Sequence, residues 1–310
     1  MSRVAAIDCG TNSIRILIAE QSGDGVREIA RDLRITRLGQ GVDSTGEFHP
    51  DALARTLAAC DEYAALVREH RVDAVRFVAT SAARDAGNRE EFFDGVRERL
   101  GVDAEVISGD EEARLSFDGA VSGAPDAPGP ALVVDIGGGS TELILGQTGG
   151  AARGVSLDMG SVRLRERFLA SDPPTLEEVS EASEFIDDLL DASGVDFDAP
   201  RTWLGVGGTV TSLSAIAQRL PQYDRERVHG SRVTREELGH LAQRLLAMPV
   251  AEVLDIPTMV PGRADVICAG ALICHRIAAR MVVDLTVSET DILDGIVARL
   301  LRDPDDAATS

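Results

Sequence analysis

The stretch that most limits what this chain can fold into is Ala131–Gly146, ALVVDIGGGSTELILG. Four apolar residues, Ala131-Leu132-Val133-Val134, read as a buried strand. Asp135 ends that run. Gly137, Gly138 and Gly139 follow, then Ser140-Thr141-Glu142, then a second apolar run, Leu143-Ile144-Leu145. Two strands joined through a glycine turn make a β-hairpin. Glycines let backbone N–H groups approach an anion with no Cβ in the way. Ser140 and Thr141 add hydroxyls, and Asp135 is a hard oxygen ligand of the kind magnesium takes. Glu142 is expected to face the same turn as Asp135. The pattern predicts a phosphate held by backbone amides with a divalent metal beside it.

The start of the chain repeats the pattern. In Val4–Ala19, VAAIDCGTNSIRILIA, Asp8 falls on Asp135, Gly10 on Gly137 and Ser13 on Ser140, always 127 residues apart. That offset is about one domain length, so a single repeat predicts a duplicated domain. Asp8 and Asp135 are then expected on two hairpins that line one cleft. The run SGAPDAPGP, Ser122–Pro130, holds three prolines and two glycines and reads as the linker. It divides the chain into residues 1–124 and 125–290, with a last helix at 291–302 returning to the first domain and a disordered tail at 303–310. Between the hairpins, strands alternate with helices, for example a helix over Pro50–Glu69, a strand over Ala74–Thr80 and a helix over Arg89–Leu100. Alternation of this kind indicates an α/β architecture.

Charge sets limits on partners. The net charge of −21 argues against nucleic acid, which selects a basic face. All 31 basic residues are arginine, so neither a Schiff-base lysine nor a P-loop lysine is available. Four cysteines, Cys9, Cys60, Cys268 and Cys274, form no CxxC pair and suit no zinc site. They are expected to be reduced and buried in a cytoplasmic protein. No signal-like segment precedes the first strand and no apolar run reaches membrane-spanning length, so no membrane partner is expected.

Several further residues stand where chemistry could sit. Arg84, in TSAARDAGN, follows a strand, and its planar fork suits phosphate, although sequence alone favours a surface pair with Asp85. Ser108 and Glu111 have capping-box spacing, which gives Glu111 a structural task and leaves Glu112 free in the first helical turn. Arg163, in Gly160-Ser161-Val162-Arg163, suits either a phosphate contact or a solvated helix start. Gly207-Gly208-Thr209 joins a strand to a helix whose first amides can bind an anion.

Taken in order, DCGTNS, TSAARDAGN, SGDEEARL, DIGGGSTE and GVGGTVTSL resemble the exopolyphosphatase and guanosine pentaphosphate phosphohydrolase family. That family belongs to the superfamily of acetate and sugar kinases, heat-shock chaperones and actin. The resemblance runs from about Val4 to Leu300. It implies two ribonuclease-H-like α/β domains and metal-dependent removal of the terminal phosphate of inorganic polyphosphate.

The resemblance also assigns roles. Glu112 is the base, with Glu111 as fallback; Arg84 and Glu142 complete the catalytic set. Asp8, Asp135 and Glu142 are implied metal ligands, for magnesium or alternatively manganese. Gly10, Thr11, Asn12, Ser13, Gly137, Gly138, Gly139, Ser140, Thr141, Arg163, Gly207, Gly208 and Thr209 are implied substrate contacts. Arg263 and Asp265 match the family's Arg-x-Asp. Longer members carry extra helical domains, so short polyphosphate is expected here. A homodimer is also expected. Alternatives are hydrolysis of guanosine pentaphosphate, with guanosine penta- or tetraphosphate as ligands, a kinase of the same fold, and an alarmone sensor without catalysis.

Overall fold

The structure, a computed structural model, describes residues 2–23, 25–147 and 152–302. The chain forms two units, Met1–Gly119 with Ile292–Ser310, and Ala120–Asp291. The expected tail at 303–310 lies outside the described residues.

Unit 1 is built on a five-stranded sheet of β1 (Arg3–Cys9), β2 (Ser13–Ser22), β3 (Gly25–Ile35), β4 (Ala74–Ala79) and β5 (Ala104–Val106), in the order β3-β2-β1-β4-β5. The first three strands are antiparallel, and β4 and β5 run parallel to β1. Strand β1 is buried at every residue from Val4 to Cys9, which suits a central strand covered on both faces. Helix α1 (Pro50–Glu69) starts on a proline, with the His49 side chain accepting from the Asp51 N–H. Its buried face carries Leu53, Cys60, Tyr63 and Ala64; Asp61 points to solvent, which settles the choice between Cys60 and Asp61 at that position. Helix α2 (Arg89–Leu100) ends on left-handed Gly101. Helix α3 (Gly109–Ser122) carries the chain from unit 1 into unit 2.

Unit 2 contains β6 (Ala131–Ile136), β7 (Thr141–Gly146), β8 (Ala152–Leu157), β9 (Thr202–Val206), β10 (Arg232–Val233) and β11 (Leu285–Val287), in the order β10-β11-β9-β6-β7-β8. Again the first three strands are antiparallel, with β9 parallel to β6 and β11 parallel to β9. Thus β6, β7, β8, β9 and β11 repeat the order and directions of β1 to β5. Unit 2 adds only the short edge strand β10.

Its helices are α4 (Ser161–Phe168), α5 (Leu176–Ala192), α6 (Gly207–Ala217), α7 (Arg235–Ala247) and α8 (Ile267–Ala278). Reciprocal capping boxes, Thr175 with Glu178 and Thr234 with Glu237, fix the starts of α5 and α7. Strand β11 is short, only Leu285–Val287. Val282 is exposed, and Asp284 turns to Arg232 and Arg235. Helix α8 begins at Ile267, after a tight turn over Pro261–Arg263. Last, α9 (Ile292–Arg302) returns to unit 1. It buries Ile292, Leu293, Ile296, Val297 and Leu300 against Val4, Ala6, Leu17, Ala19 and Val78.

Helices α5 and α8 are joined by charge. Asp187 accepts from both Arg276 and Arg280, the latter at 2.9 Å, and Arg280 also reaches Asp191 at 2.6 Å. Partial burial pushes the Asp187 carboxyl up, but the hydrogen bonds from Arg276 and Arg280 outweigh it, and its pKa lies below the ordinary 3.8. A lowered carboxyl contributes stability in full above its unfolded-state value and loses it as pH falls through the native value. Asp187→Asn is therefore expected to cost about 1–2 kcal/mol at neutral pH, allowing for solvent screening. Urea midpoints of the two proteins should converge below about pH 3; a constant gap down to acid pH would refute the ion-pair account.

Candidate functional site

The two glycine turns share one geometry. Gly10 N–H donates to the Ser13 carbonyl at 2.9 Å, and Gly137 N–H donates to the Ser140 carbonyl at 3.0 Å. In each loop the surrounding chain takes up the carbonyls. The Thr11 carbonyl accepts from Gly39 N–H, and the Asn12 carbonyl accepts from the Thr36 and Arg37 N–H groups. The Gly137 carbonyl accepts from Ser161 N–H and the Gly138 carbonyl from the Val162 and Arg163 N–H groups, while Arg163 Nε donates to the Gly139 carbonyl at 2.8 Å. With the carbonyls tied back, the amides of Thr11 and Asn12, and of Gly138, Gly139 and Ser140, make no hydrogen bond with any described residue. Successive unsatisfied amides of this kind form an anion-binding concavity. Asn12 also holds a buried Oδ1 with no partner.

The first turn of α4 therefore braces the second loop. Arg163 belongs to that brace: its side chain is 11% exposed, with Nη2 3.9 Å from Asp158. Gly160 makes the close approach possible, because a Cβ there would overlap the Gly138 carbonyl group and the Gly139 nitrogen. Both obstacles are backbone, so neither can swing aside. Gly160→Ala is expected to lower stability by about 1–3 kcal/mol and to cut phosphate-releasing activity more than the stability loss explains. Wild-type activity with an unchanged urea midpoint would refute the brace.

Thr141 is wholly buried and its hydroxyl donates to the Met159 carbonyl. Thr209 is 5% exposed and donates to the Ile136 carbonyl at 3.0 Å. Both hydroxyls fasten elements together in this structure. Helix α6 begins at Gly207, three residues earlier than its apolar pattern suggests, so the Gly207-Gly208-Thr209 turn is its first turn. Gly207 has φ 81°, and a Cβ there would stand 2.5 Å from Asp135 Oδ1. The Asp135 carboxylate thus lies over the start of α6.

The carboxylates of the two hairpins have opposite surroundings. Asp8 pairs across the strands with Arg15, which donates to Oδ2 through Nε at 3.1 Å and Nη2 at 2.5 Å. At the equivalent place in unit 2, Asp135 pairs with Glu142. Directly opposed residues of an antiparallel pair project to the same face, so one hairpin presents Asp with Arg and the other presents two acids. Glu142 is 1% exposed, and Ser156 Oγ donates to its Oε1 at 2.7 Å. Among the described residues, no group of three or more His, Cys, Asp or Glu side chains could hold a metal ion.

Arg84 and Glu112, which sequence places 28 positions apart, meet in unit 1. Arg84 Nη1 lies 2.8 Å from Glu112 Oε2 and also donates to the Ile107 carbonyl at 3.0 Å. Glu112 is 8% exposed. Its neighbour Glu111 has a different environment: Ser108 Oγ accepts from its N–H at 3.2 Å, and its carboxylate accepts from Arg76 at 2.8 Å. The two adjacent acids therefore face different partners, one in the helix-start and strand scaffold, the other with the candidate arginine.

Arg263 is the residue the sequence reading left without a role. Its guanidinium rests against Gly208 and donates to Ser212 Oγ at 2.9 Å. It stands in the tight turn before α8, which frees it from that helix's packing face. The four cysteines are buried; burial pushes the Cys60 and Cys274 thiols up to about 12, which leaves them poor nucleophiles at neutral pH.

A model of the Ppx/GppA phosphatase family matches residues 17–302. The chain belongs to the Ppx/GppA phosphatase family. It is 48% identical to Exopolyphosphatase 2 of Mycobacterium tuberculosis, over 97% of this chain and 99% of that protein. Among solved structures, an exopolyphosphatase-like protein superimposes with a TM-score of 0.92 at 44% identity, over 97% of this chain and 99% of that one. The Ppx/GppA family member of Aquifex aeolicus does so with a TM-score of 0.82 at 34% identity, over 97% and 98%. Like its Ppx/GppA relatives, the chain has the two-domain actin-like α/β fold and is a phosphoanhydride hydrolase. Among the described residues no helix is long and apolar enough to cross a membrane.

Proposed function

We propose that this chain is an exopolyphosphatase that releases the terminal phosphate of inorganic polyphosphate with the help of a divalent metal, magnesium or manganese. The observation that carries the reading is the paired set of loops whose carbonyls are tied back and whose amides are left for an anion. An acidic protein binds a polyanion best through such amides, because they attract phosphate without requiring a basic surface. The free amides of Thr11, Asn12, Gly138, Gly139 and Ser140 would hold phosphate oxygens, with Gly10, Ser13, Gly137, Gly207 and Gly208 shaping the turns. Thr141, Thr209 and Arg163 would support those turns. Arg263 would add a guanidinium to the phosphate chain.

The residues of the second hairpin fit a hard cation. Two opposed carboxylates suit a metal that keeps water and substrate oxygens as its other ligands. Asp135 and Glu142 would hold it, and when bound it neutralises charge on the transferring phosphoryl group. Asp8 is the weaker ligand of the three, since Arg15 already holds its carboxylate. Glu112 would take the proton of the attacking water, and Arg84 would orient Glu112 and stabilise charge on the equatorial oxygens. The same reading has the enzyme acting in the cytoplasm as a homodimer, which sedimentation would check.

Phosphate release should be measured in parallel on short polyphosphate, long polyphosphate and guanosine pentaphosphate, with and without magnesium. Polyphosphate is expected to give the highest kcat/KM, with release abolished by chelation. Faster turnover of guanosine pentaphosphate would replace the assignment with the other activity of the family. Binding without turnover of any of the three would leave a sensor.

A further inference from the structure

Unit 2 contains a pocket of about 530 Å³ formed by the C-terminal end of α6, helix α7 and the chain that follows α7. Its volume falls in the range of small-molecule sites, roughly 300–1,000 Å³. Helix α6 runs from Gly207 at one end to this pocket at the other, and its eleven residues span about 16 Å. The pocket is therefore separate from the glycine turns.

Apolar residues in its walls include Ile216, Leu220, Pro221, Met248, Ile256 and Pro257. Charge gathers at its rim as Arg219 and Arg244 beside Glu252 and Asp255. None of these four side chains forms an ion pair or hydrogen bond with another described residue, although both signs line the same pocket. Thr258 lines it too, and its hydroxyl makes no hydrogen bond with another described residue. Arg219 itself has φ 52°, in the left-handed position at a helix end where glycine is the usual residue. The Leu220 N–H closes that turn onto the Ala215 carbonyl at 3.1 Å, which fixes the direction of the Arg219 side chain.

The mixture of groups selects the ligand. Two free guanidiniums accept a phosphate. The apolar part of the wall, with Pro221 and Pro257 in it, accepts a ring. Two free carboxylates and a hydroxyl accept hydrogen-bond donors on that ring. Polyphosphate lacks both ring and donors, and the carboxylates would repel it. We propose that this pocket binds a small phosphorylated metabolite with a flat, donor-bearing ring, of the size and chemistry of a nucleoside monophosphate. Such a molecule has no phosphoanhydride and is not a substrate for the chemistry above, so this assignment stands independently of the proposed activity.

The test is calorimetric titration of the full-length protein with AMP, GMP and CMP, with inorganic phosphate as control. At least one nucleotide is expected to bind with sub-millimolar affinity, and to bind at least tenfold more tightly than phosphate. The double variant Arg219→Ala/Arg244→Ala should weaken binding by about tenfold or more, the loss expected when a charge-assisted contact is removed. Met248→Trp, which fills the pocket without touching its charges, should do the same. Both variants should keep wild-type phosphate release from polyphosphate without nucleotide, and Glu112→Gln should keep nucleotide binding. Failure of all three nucleotides to bind overturns the proposal. So does affinity unchanged in both pocket variants, or complete displacement by short polyphosphate, which would place the nucleotide on the glycine turns.

Discussion

Glu112→Gln is expected to lower phosphate release from polyphosphate by roughly 10²–10⁴-fold, the usual scale for loss of a general base. The substitution keeps the shape and the hydrogen bond to Arg84 while removing the acceptor that would take a proton from water. Polyphosphate binding should survive and tighten, because one negative charge leaves a site for a polyanion. Glu111→Gln is the matched control. Its carboxylate serves Arg76 and its N–H serves the helix start, so its loss should weaken the scaffold and leave the rate within several-fold of wild type. Steady-state release and equilibrium binding on both variants decide the matter. A dead Glu111→Gln enzyme would swap the roles; two active enzymes would show that the water is activated elsewhere. Arg84→Lys is a further variant: the Ile107 carbonyl and Glu112 both accept from the one nitrogen Nη1, a pair of bonds an ammonium can also make, so a lower rate in this variant reports the guanidinium's remaining donors.

Asp135→Asn is the second large effect, expected on the order of 10²–10³-fold in activity, comparable to removing one preorganised electrostatic group. The diagnostic measurement is the magnesium titration. Losing one of two opposed carboxylates should move half-activation to higher magnesium and lower the plateau. Asp8→Asn should leave the magnesium midpoint nearly in place, because Arg15 already occupies its carboxylate, and its cost should appear in the urea midpoint instead. An unchanged magnesium curve for Asp135→Asn, or equal shifts for both variants, would exclude the assignment of the metal to the second hairpin.

Much of this was readable before any coordinates. The two hairpins followed from apolar runs and glycine turns, and helices Pro50–Glu69 and Arg89–Leu100 have the bounds their spacing predicts. Strong local signals gave those elements: a proline at one helix start, a glycine just past another helix end. Elements set by tertiary contacts were less legible. The strand at Leu285–Val287 is cut short by Asp284 and its arginines, and Arg263 leaves its helix for a turn, neither of which has a periodic signal. One clue was present and unused. The 127-residue offset that superposes Asp8 on Asp135 also superposes Arg15 on Glu142, and that single difference separates an internally neutralised carboxylate from a pair of acids. The meeting of Arg84 with Glu112 had no such signal, since each sits after a different strand. Likewise, the hydroxyls of Thr141 and Thr209 read as ligand donors in sequence, and only the positions of Met159 and Ile136 show that they are already engaged.

The return of α9 to unit 1 has a consequence for how the protein is made. A ribosome releases the chain from its amino end, so the sheet of unit 1 emerges first. Its face at Val4, Ala6, Leu17 and Ala19 then has Ile107 and Leu115 beside it but lacks the rest of its cover until Ile292–Leu300 has been synthesised. The whole of unit 2 is translated in that interval, and at about 5–20 residues per second the wait is on the order of ten seconds or more. Unit 2 is continuous in sequence and can close as soon as it leaves the exit tunnel. The earlier half of the nascent chain is thus the later to mature, and its uncovered apolar face is the surface a trigger chaperone would meet.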